Sequence, residues 1–232
     1  MELNQLFTNG QTYLLYLIRE QLYKNFPALF EQLDFEDDAH FSDPLLFGYF
    51  NQLSKGLSME QILFHHLEAA NYPVHAFNGT ITLPGLAYLR LADRGDQVYE
   101  LERKEGALQL HSDQAFEVIA PVVLDRHNNI EVCLYTNPYY NHLCTSLPGA
   151  KEVDASLEKM PETAPKYIAA INEAFDLIKA IVPEEYEIYT TATQRIVLFD
   201  NPSLVSFVTR QVHGTIFFNV NQHANTSFFV EE

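Results

Sequence analysis

The chain has no tryptophan, two cysteines and only 14 lysines and arginines in 232 residues. Set against 31 aspartates and glutamates, those cations leave a formal charge of −17. So negative a surface repels phosphate backbones and anionic membrane surfaces. The cations are scattered, with Arg103-Lys104 the only adjacent pair, so no basic stripe offsets the charge locally. Nucleic acid and membrane are therefore excluded as expected partners, whereas a basic peptide or a cationic patch on a protein is steered toward the chain. No run approaches the roughly 18 apolar residues that a membrane span needs, and Met1 to Leu6 lacks the basic and apolar segments of a secretion signal. Cys133 and Cys144 can form a disulfide, but without that signal two reduced, buried thiols in a cytoplasmic protein are expected. The nine glycines are dispersed and build no phosphate-binding loop. Ser203 and Ser206 lack a Gly-x-Ser-x-Gly elbow, which disfavours a serine hydrolase. There is no internal repeat and no low-complexity segment.

What is present is an apolar fraction of 47%, with 17 Phe and 13 Tyr, enough for packed cores. Residues 1–72 read as a helical unit. Leu14, Leu17, Ile18 and Leu22 share a helical face that Pro27 ends. Asp43-Pro44 is an N-cap and first-turn proline opening a helix through Leu53. Ser58-Met59-Glu60-Gln61 is a capping box with Gln61 at its third helical position, opening a helix through Leu67 toward Asn71. Pro73 closes this unit.

Over residues 73–150 the period falls to two, which predicts an antiparallel β region. Its strands are Thr80–Leu83, Tyr88–Asp93, Val98–Glu102, Leu108–His111, Phe116–Leu124 and Ile130–Tyr135. Turns are expected at Pro84-Gly85, Arg94-Gly95-Asp96, Glu105-Gly106 and Asn128-Asn129. Ile130, Val132 and Leu134 alternate with Glu131, Cys133 and Tyr135, as in a half-buried antiparallel strand. Tyr135, Tyr139, Tyr140 and His142 cluster around Asn137-Pro138 as an aromatic loop, either a recognition surface or a loop anchor.

Residues 151–232 read as an α/β portion. A polar linker, Lys151 to Glu162, precedes a helix whose stripe is Ile168, Ile171, Phe175, Ile178 and Val182, ended by Pro183. Tyr186–Thr193 and Arg195–Phe199 read as strands, rich in Thr, Tyr, Ile and Val, and Gly214–Val220 as another. Asn225 or Thr226 caps a last helical turn through Phe228 to Glu231. That turn is either docked on the core or the start of an element in a longer protein.

Few side chains suggest chemistry. His65 and His66 are adjacent, so on a helix they point about 100° apart and cannot share a metal; a satisfied or surface pair is expected. His213 and His223 flank the strand Gly214–Val220 at opposite ends. Arg195 and Arg210 are the only cations after Pro183. Each pairs either a structural carboxylate or a ligand carboxylate, and the structural pair is expected in so acidic a chain. Glu231 and Glu232 suit the start of a helix, or supply a carboxylate to a site.

Ile196-Val-Leu-Phe-Asp-Asn-Pro-Ser-Leu-Val-Ser-Phe, then Gly214-Thr-Ile-Phe-Phe-Asn-Val, then Thr226-Ser-Phe-Phe-Val-Glu-Glu resembles the HExxH-type peptide-modification family. Its relevant members look like iron- and 2-oxoglutarate-dependent β-hydroxylases that act on ribosomally made precursor peptides. The resemblance implies a zincin-like C-terminal portion, with Fe(II) and 2-oxoglutarate as cofactors and a precursor peptide as substrate. The family's two-histidine metal motif would follow Glu232, so no metal ligand is assigned within the chain. What the resemblance implies within the chain is the wall of such a site, the strand Gly214–Val220 and the start of the helix after it, and Arg210, Asn219, His223 and Glu232 are the candidate substrate-binding residues. The expectation is an α+β peptide-modifying enzyme. The alternatives are a non-catalytic, acidic module that binds a basic peptide or protein, and a metallopeptidase-like hydrolase.

Overall fold

The spacing of Leu14, Leu17, Ile18 and Leu22 is realised in α1 (Leu3–Asn25), where Ile18 and Leu22 are buried. The computed structural model describes residues 3–53, 57–67, 71–104, 106–124, 126–134, 138–146, 160–200 and 205–220. These form seven α-helices and two sheets, a mixed α+β fold. The chain divides into two compact units: Met1–Ala120 with Asn137–Tyr139, and Pro121–Thr136 with Tyr140–Glu232.

In the first unit Pro27 ends α1 and opens α2 (Pro27–Phe30), because proline is well suited to the first helical turn, where its missing N–H leaves no bond unmade. Asp43 caps α3 (Pro44–Gly48) by accepting from the Leu45 amide at 2.8 Å. A single π-helical stretch, Tyr49–Leu53, completes the predicted length. A Cβ at Gly48 would overlap the Tyr139 hydroxyl, so the glycine admits that buried phenol. Ser58 caps α4 (Met59–Leu63) and accepts from the Gln61 amide at 3.1 Å. The helix ends at Leu63, short of the expected Leu67.

Six antiparallel strands follow: β1 (Asn71–Phe77), β2 (Thr80–Leu83), β3 (Ala87–Leu91), β4 (Val98–Lys104), β5 (Ala107–His111) and β6 (Phe116–Ile119). Pro73 lies inside β1 rather than closing a helical segment. The sheet order is β5-β4-β1-β2-β3-β6, so β5 and β6 are opposite edges. Residues 112–115 alone connect them. Four linking residues span at most about 18 Å, whereas the edges of a flat six-stranded sheet lie about 24 Å apart. The sheet must curl, and it forms an antiparallel half-barrel around Val74, Ile81, Leu89 and Leu101, all fully buried. Asn78 and Gly79, both at positive φ, make the two-residue β1–β2 turn; a Cβ at Gly79 would also strike the Asp93 carbonyl.

The Gln61 side chain does not reach back to Ser58, as a capping box would have it. Strand β1 pairs β2 only at Ala76↔Ile81 and Phe77↔Thr80. At the next position the fully buried Gln61 carboxamide takes the place of the ladder. It accepts from the His75 amide at 2.9 Å and donates to the carbonyls of His75 at 3.2 Å and Thr82 at 2.9 Å.

The second unit holds β7 (Val122–Leu124), β8 (Ile130–Cys133), β9 (Arg195–Phe199), β10 (Phe207–Val208) and β11 (Thr215–Asn219), in the order β10-β11-β9-β8-β7. The run Phe116–Leu124 is thus two strands in two sheets, broken before Pro121. The strands β8, β9 and β11 are mutually parallel, with antiparallel strands at both edges. The β8–β9 crossover carries α5 (Pro138–Ser146), α6 (Met160–Ile181) and α7 (Pro183–Ala192). Three sequence expectations change here. Strand β8 is buried on both faces, Glu131 and Cys133 included, as strands of parallel sheets covered on both sides are. The aromatic loop at Asn137-Pro138 is helix α5 from Pro138 onward, with Tyr139 and Tyr140 buried. Of the expected strand Tyr186–Thr193, all but the extended cap Thr193 is helical: Pro183 at the first position and Glu184 and Glu185 in the first turn override the β preference of its threonines and tyrosines.

Replacing Gln61 by leucine keeps the volume but leaves the amide and carbonyl of half-buried His75 and the carbonyl of buried Thr82 unpaired, each worth about 1 kcal/mol. We expect a loss of about 3 kcal/mol, a fall in Tm on the order of 10 °C, measured by calorimetry.

Candidate functional site

Arg210 and Asn219, the two candidate substrate-binding residues among those described, do not converge. Arg210 lies exposed at the start of a short 3₁₀ turn, Arg210–Val212, capped by Thr209. Asn219 ends β11, fully buried, its amide donating to Ser206 Oγ at 3.1 Å. The five residues of β11 put Arg210 and Asn219 at opposite ends of that strand. His223 and Glu232, with the last helical turn, lie outside the described residues. His213 is half-buried after the 3₁₀ turn, and burial lowers its pKa. His65 and His66 follow α4 in a turn, their rings edge to face at 5.0 Å. His66 also packs on His40 at 4.3 Å; burial, then the neighbouring His40 charge, takes its pKa down to about 4. No three His, Cys, Asp or Glu side chains among the described residues are grouped to hold a metal.

Two buried polar clusters organise the second unit. Arg195 Nε donates to Glu131 Oε2 at 3.0 Å, both side chains buried, in register across β8 and β9. This is the structural ion pair expected of Arg195. Cys133 is a buried thiol whose S–H points to Glu131 Oε1 at 3.8 Å. The second cluster surrounds His127, in the turn before β8. Its Nε2 is 3.2 Å from the Asn172 carbonyl, so it carries the proton, and its Nδ1 accepts from the Tyr186 hydroxyl at 3.1 Å. The ring stacks on Phe175 at 5.1 Å, with Asp176 Oδ1 3.6 Å from Nε2. Both nitrogens are used and the ring is closed to solvent, so the cluster clamps α6 and α7 to the β7–β8 turn.

The accessible chemistry of the first unit gathers on α1, α2 and the turn after them. Between Lys24 and Lys55 there is no cation, and Glu31, Asp34, Glu36, Asp37 and Asp38 all lie exposed. Aromatic rings sit among them: Tyr23 is 64% exposed and Phe35 56%, and Phe30 packs edge to face against both, at 5.6 and 6.2 Å. The turn is rigid. Asp34 accepts from the Glu36 amide, Asp37 accepts from the Ala39 amide, and the Asp34 amide donates to His40 Nδ1. Arg19 shows what such a surface holds. Its guanidinium lies 5.1 Å from the Phe35 ring centre and 4.6 Å from that of Phe41, and donates to Asp38 at 2.6 Å. Sequence reasoning missed this surface, although the cation-free stretch was there to find. Compared with known proteins, the chain matches no family model, no curated protein and no solved structure.

His127 makes the second unit sensitive to acid. Burial lowers its pKa, while the Asn172 bond and Asp176 oppose that shift. With the folded value below the unfolded value of about 6.5, its contribution is complete above that pH and is lost as pH falls through the folded value. We expect the natural chain to lose more stability between pH 7 and pH 5 than His127→Gln does, by urea unfolding at both pH values.

Proposed function

We propose that this chain binds a cationic polypeptide segment through the acidic, aromatic surface formed by α1, α2 and the turn Asp34–Asp38. The observation that carries this reading is Arg19, a guanidinium stacked on two rings and closed by a carboxylate in the same surface that leaves Tyr23 and Phe35 exposed. An incoming arginine gains the same combination from the exposed ring surface and acids, since a guanidinium stacks on an aromatic face and pairs with a carboxylate at once. The net charge of −17 adds long-range steering. A cytoplasmic setting, with Cys133 reduced, belongs to the same proposal.

The test is the affinity for a fluorescent arginine-rich peptide, by anisotropy, as salt is raised. We expect the Kd to weaken about tenfold from 50 to 500 mM salt. The double variant Tyr23→Ala/Phe35→Ala should weaken it about fivefold to tenfold at fixed salt. Affinity indifferent to both changes rules the reading out.

A second reading keeps the polypeptide ligand and adds chemistry: a zincin-like second unit acting as an iron- and 2-oxoglutarate-dependent peptide hydroxylase. It is favoured by the parallel strands β9 and β11, which end at Phe199 and Asn219 on one edge of the sheet, where sheets of this kind place ligands. The described residues supply no ligand set for iron. With Fe(II) and 2-oxoglutarate added, a peptide gaining one oxygen supports this reading. Cleavage of the peptide supports a metallopeptidase instead, and an unchanged mass removes both.

A further inference from the structure

We infer that the outer edge of β6, which pairs with no strand among the described residues, is a strand-addition site for an extended cationic polypeptide segment. The backbone geometry fixes which groups are on offer. The Ala92 amide donates to the Ala115 carbonyl at 3.2 Å, and Ala92 faces Ala115 in the β3–β6 register. Hydrogen-bonded and non-bonded pairs alternate along an antiparallel ladder. Arg90↔Glu117 and Tyr88↔Ile119 are therefore the bonded pairs, and the N–H and C=O of Phe116 and Val118 point away from β3 to the open edge. The Ala76 amide donates to the Gln97 carbonyl, and the same alternation, carried across β4, turns the N–H groups of Leu108 and Leu110 to the outer edge of β5.

Those two edges belong together. Strands β5 and β6 run antiparallel and are joined by residues 112–115 alone, as the arms of a hairpin are, yet they do not pair. The half-barrel is left with a seam between two strand edges. Natural sheets blunt such edges with lysine, proline or a bulge; neither β5 nor β6 contains lysine or proline. The seam also exposes the core side of the sheet. Val118 faces the side of the fully buried Leu89 but is 54% exposed, and Phe116 and Leu108 are half-buried. An added strand would meet backbone partners at Phe116 and Val118 and an apolar seat for every second side chain.

Charge selects the occupant. A second copy of the chain brings another −17 and is repelled, whereas a segment alternating apolar and basic residues is attracted. Its outward side chains would lie near the exposed Glu117, which pairs with Arg90 across the strands. The surface is new, but the cationic character of the partner rests on the function proposed above.

The test uses the whole ¹⁵N-labelled chain and the peptide Lys-Val-Lys-Val-Lys-Val, with amide hydrogen exchange read residue by residue. We expect saturating peptide to slow exchange at least tenfold at Phe116 and Val118, and equally so in Tyr23→Ala/Phe35→Ala. The second arm separates failure of this edge from failure of the acidic, aromatic surface. Val118→Pro removes an N–H that bonds to nothing in β3, and edge strands tolerate proline; it should keep the Tm and weaken the peptide at least tenfold. If that variant fails to fold, the peptide N-methylated at alternate amides takes its place, with the same loss expected. Unchanged exchange at Phe116 and Val118, or full affinity in Val118→Pro or for the N-methylated peptide, overturns the inference.

Discussion

The first unit depends on one carboxamide. Where the ladder between β1 and β2 stops, Gln61 supplies an acceptor to the His75 amide and donors to the His75 and Thr82 carbonyls. A buried backbone group without a partner is costly, so a break in a ladder survives only if something fills it. The filler here comes from the same short helix whose Ile62 and Leu63 are buried. One residue thus ties α4 to two strands and lets the six strands act as a single curled sheet. The curl brings β5 and β6 within reach of a four-residue link and leaves their edges facing a seam.

The second unit uses polar joints of another kind. Glu131 and Arg195 neutralise each other between parallel strands, where either alone would be a buried charge. His127 is held neutral, with both nitrogens occupied. Each joint connects segments far apart in the chain, and none presents a reactive group to solvent. The accessible carboxylates and rings that carry the proposed function lie instead on α1, α2 and the turn beyond them. Burial separates the groups that hold the fold from those free to meet a partner.

Much of the local structure was legible in the sequence. The caps at Asp43 and Ser58, the stop at Pro27, the turns at Pro84-Gly85 and Asn128-Asn129 and strands β2 and β9 follow from side-chain spacing and turn chemistry. The misreadings have identifiable causes. β propensity alone makes Tyr186–Thr193 a strand, whereas Pro183-Glu184-Glu185 is a helix start, and Pro138 opens α5 in the same manner. Period alone could not show that β8 lies inside a parallel sheet, because both of its faces are covered by distant segments. Gln61 reads locally as a capping residue; its true partners are 14 and 21 residues away, and nothing in the spacing marks them. The candidate site was least legible. Rings and acids come together by packing, and Arg210 and Asn219, close in sequence, end up at opposite ends of a strand.

Recognition of a cationic polypeptide by the first unit is the central claim, and it has a direct spectroscopic footprint. An arginine-rich peptide titrated into the ¹⁵N-labelled chain should shift the amide resonances of Tyr23, Phe35 and the turn from Asp34 to Asp38, while those of Asp200 and Asn219 stay in place. Shifts confined to Asp200 and Asn219, with the α1–α2 surface silent, would contradict the account and return the site to the edge of the parallel sheet.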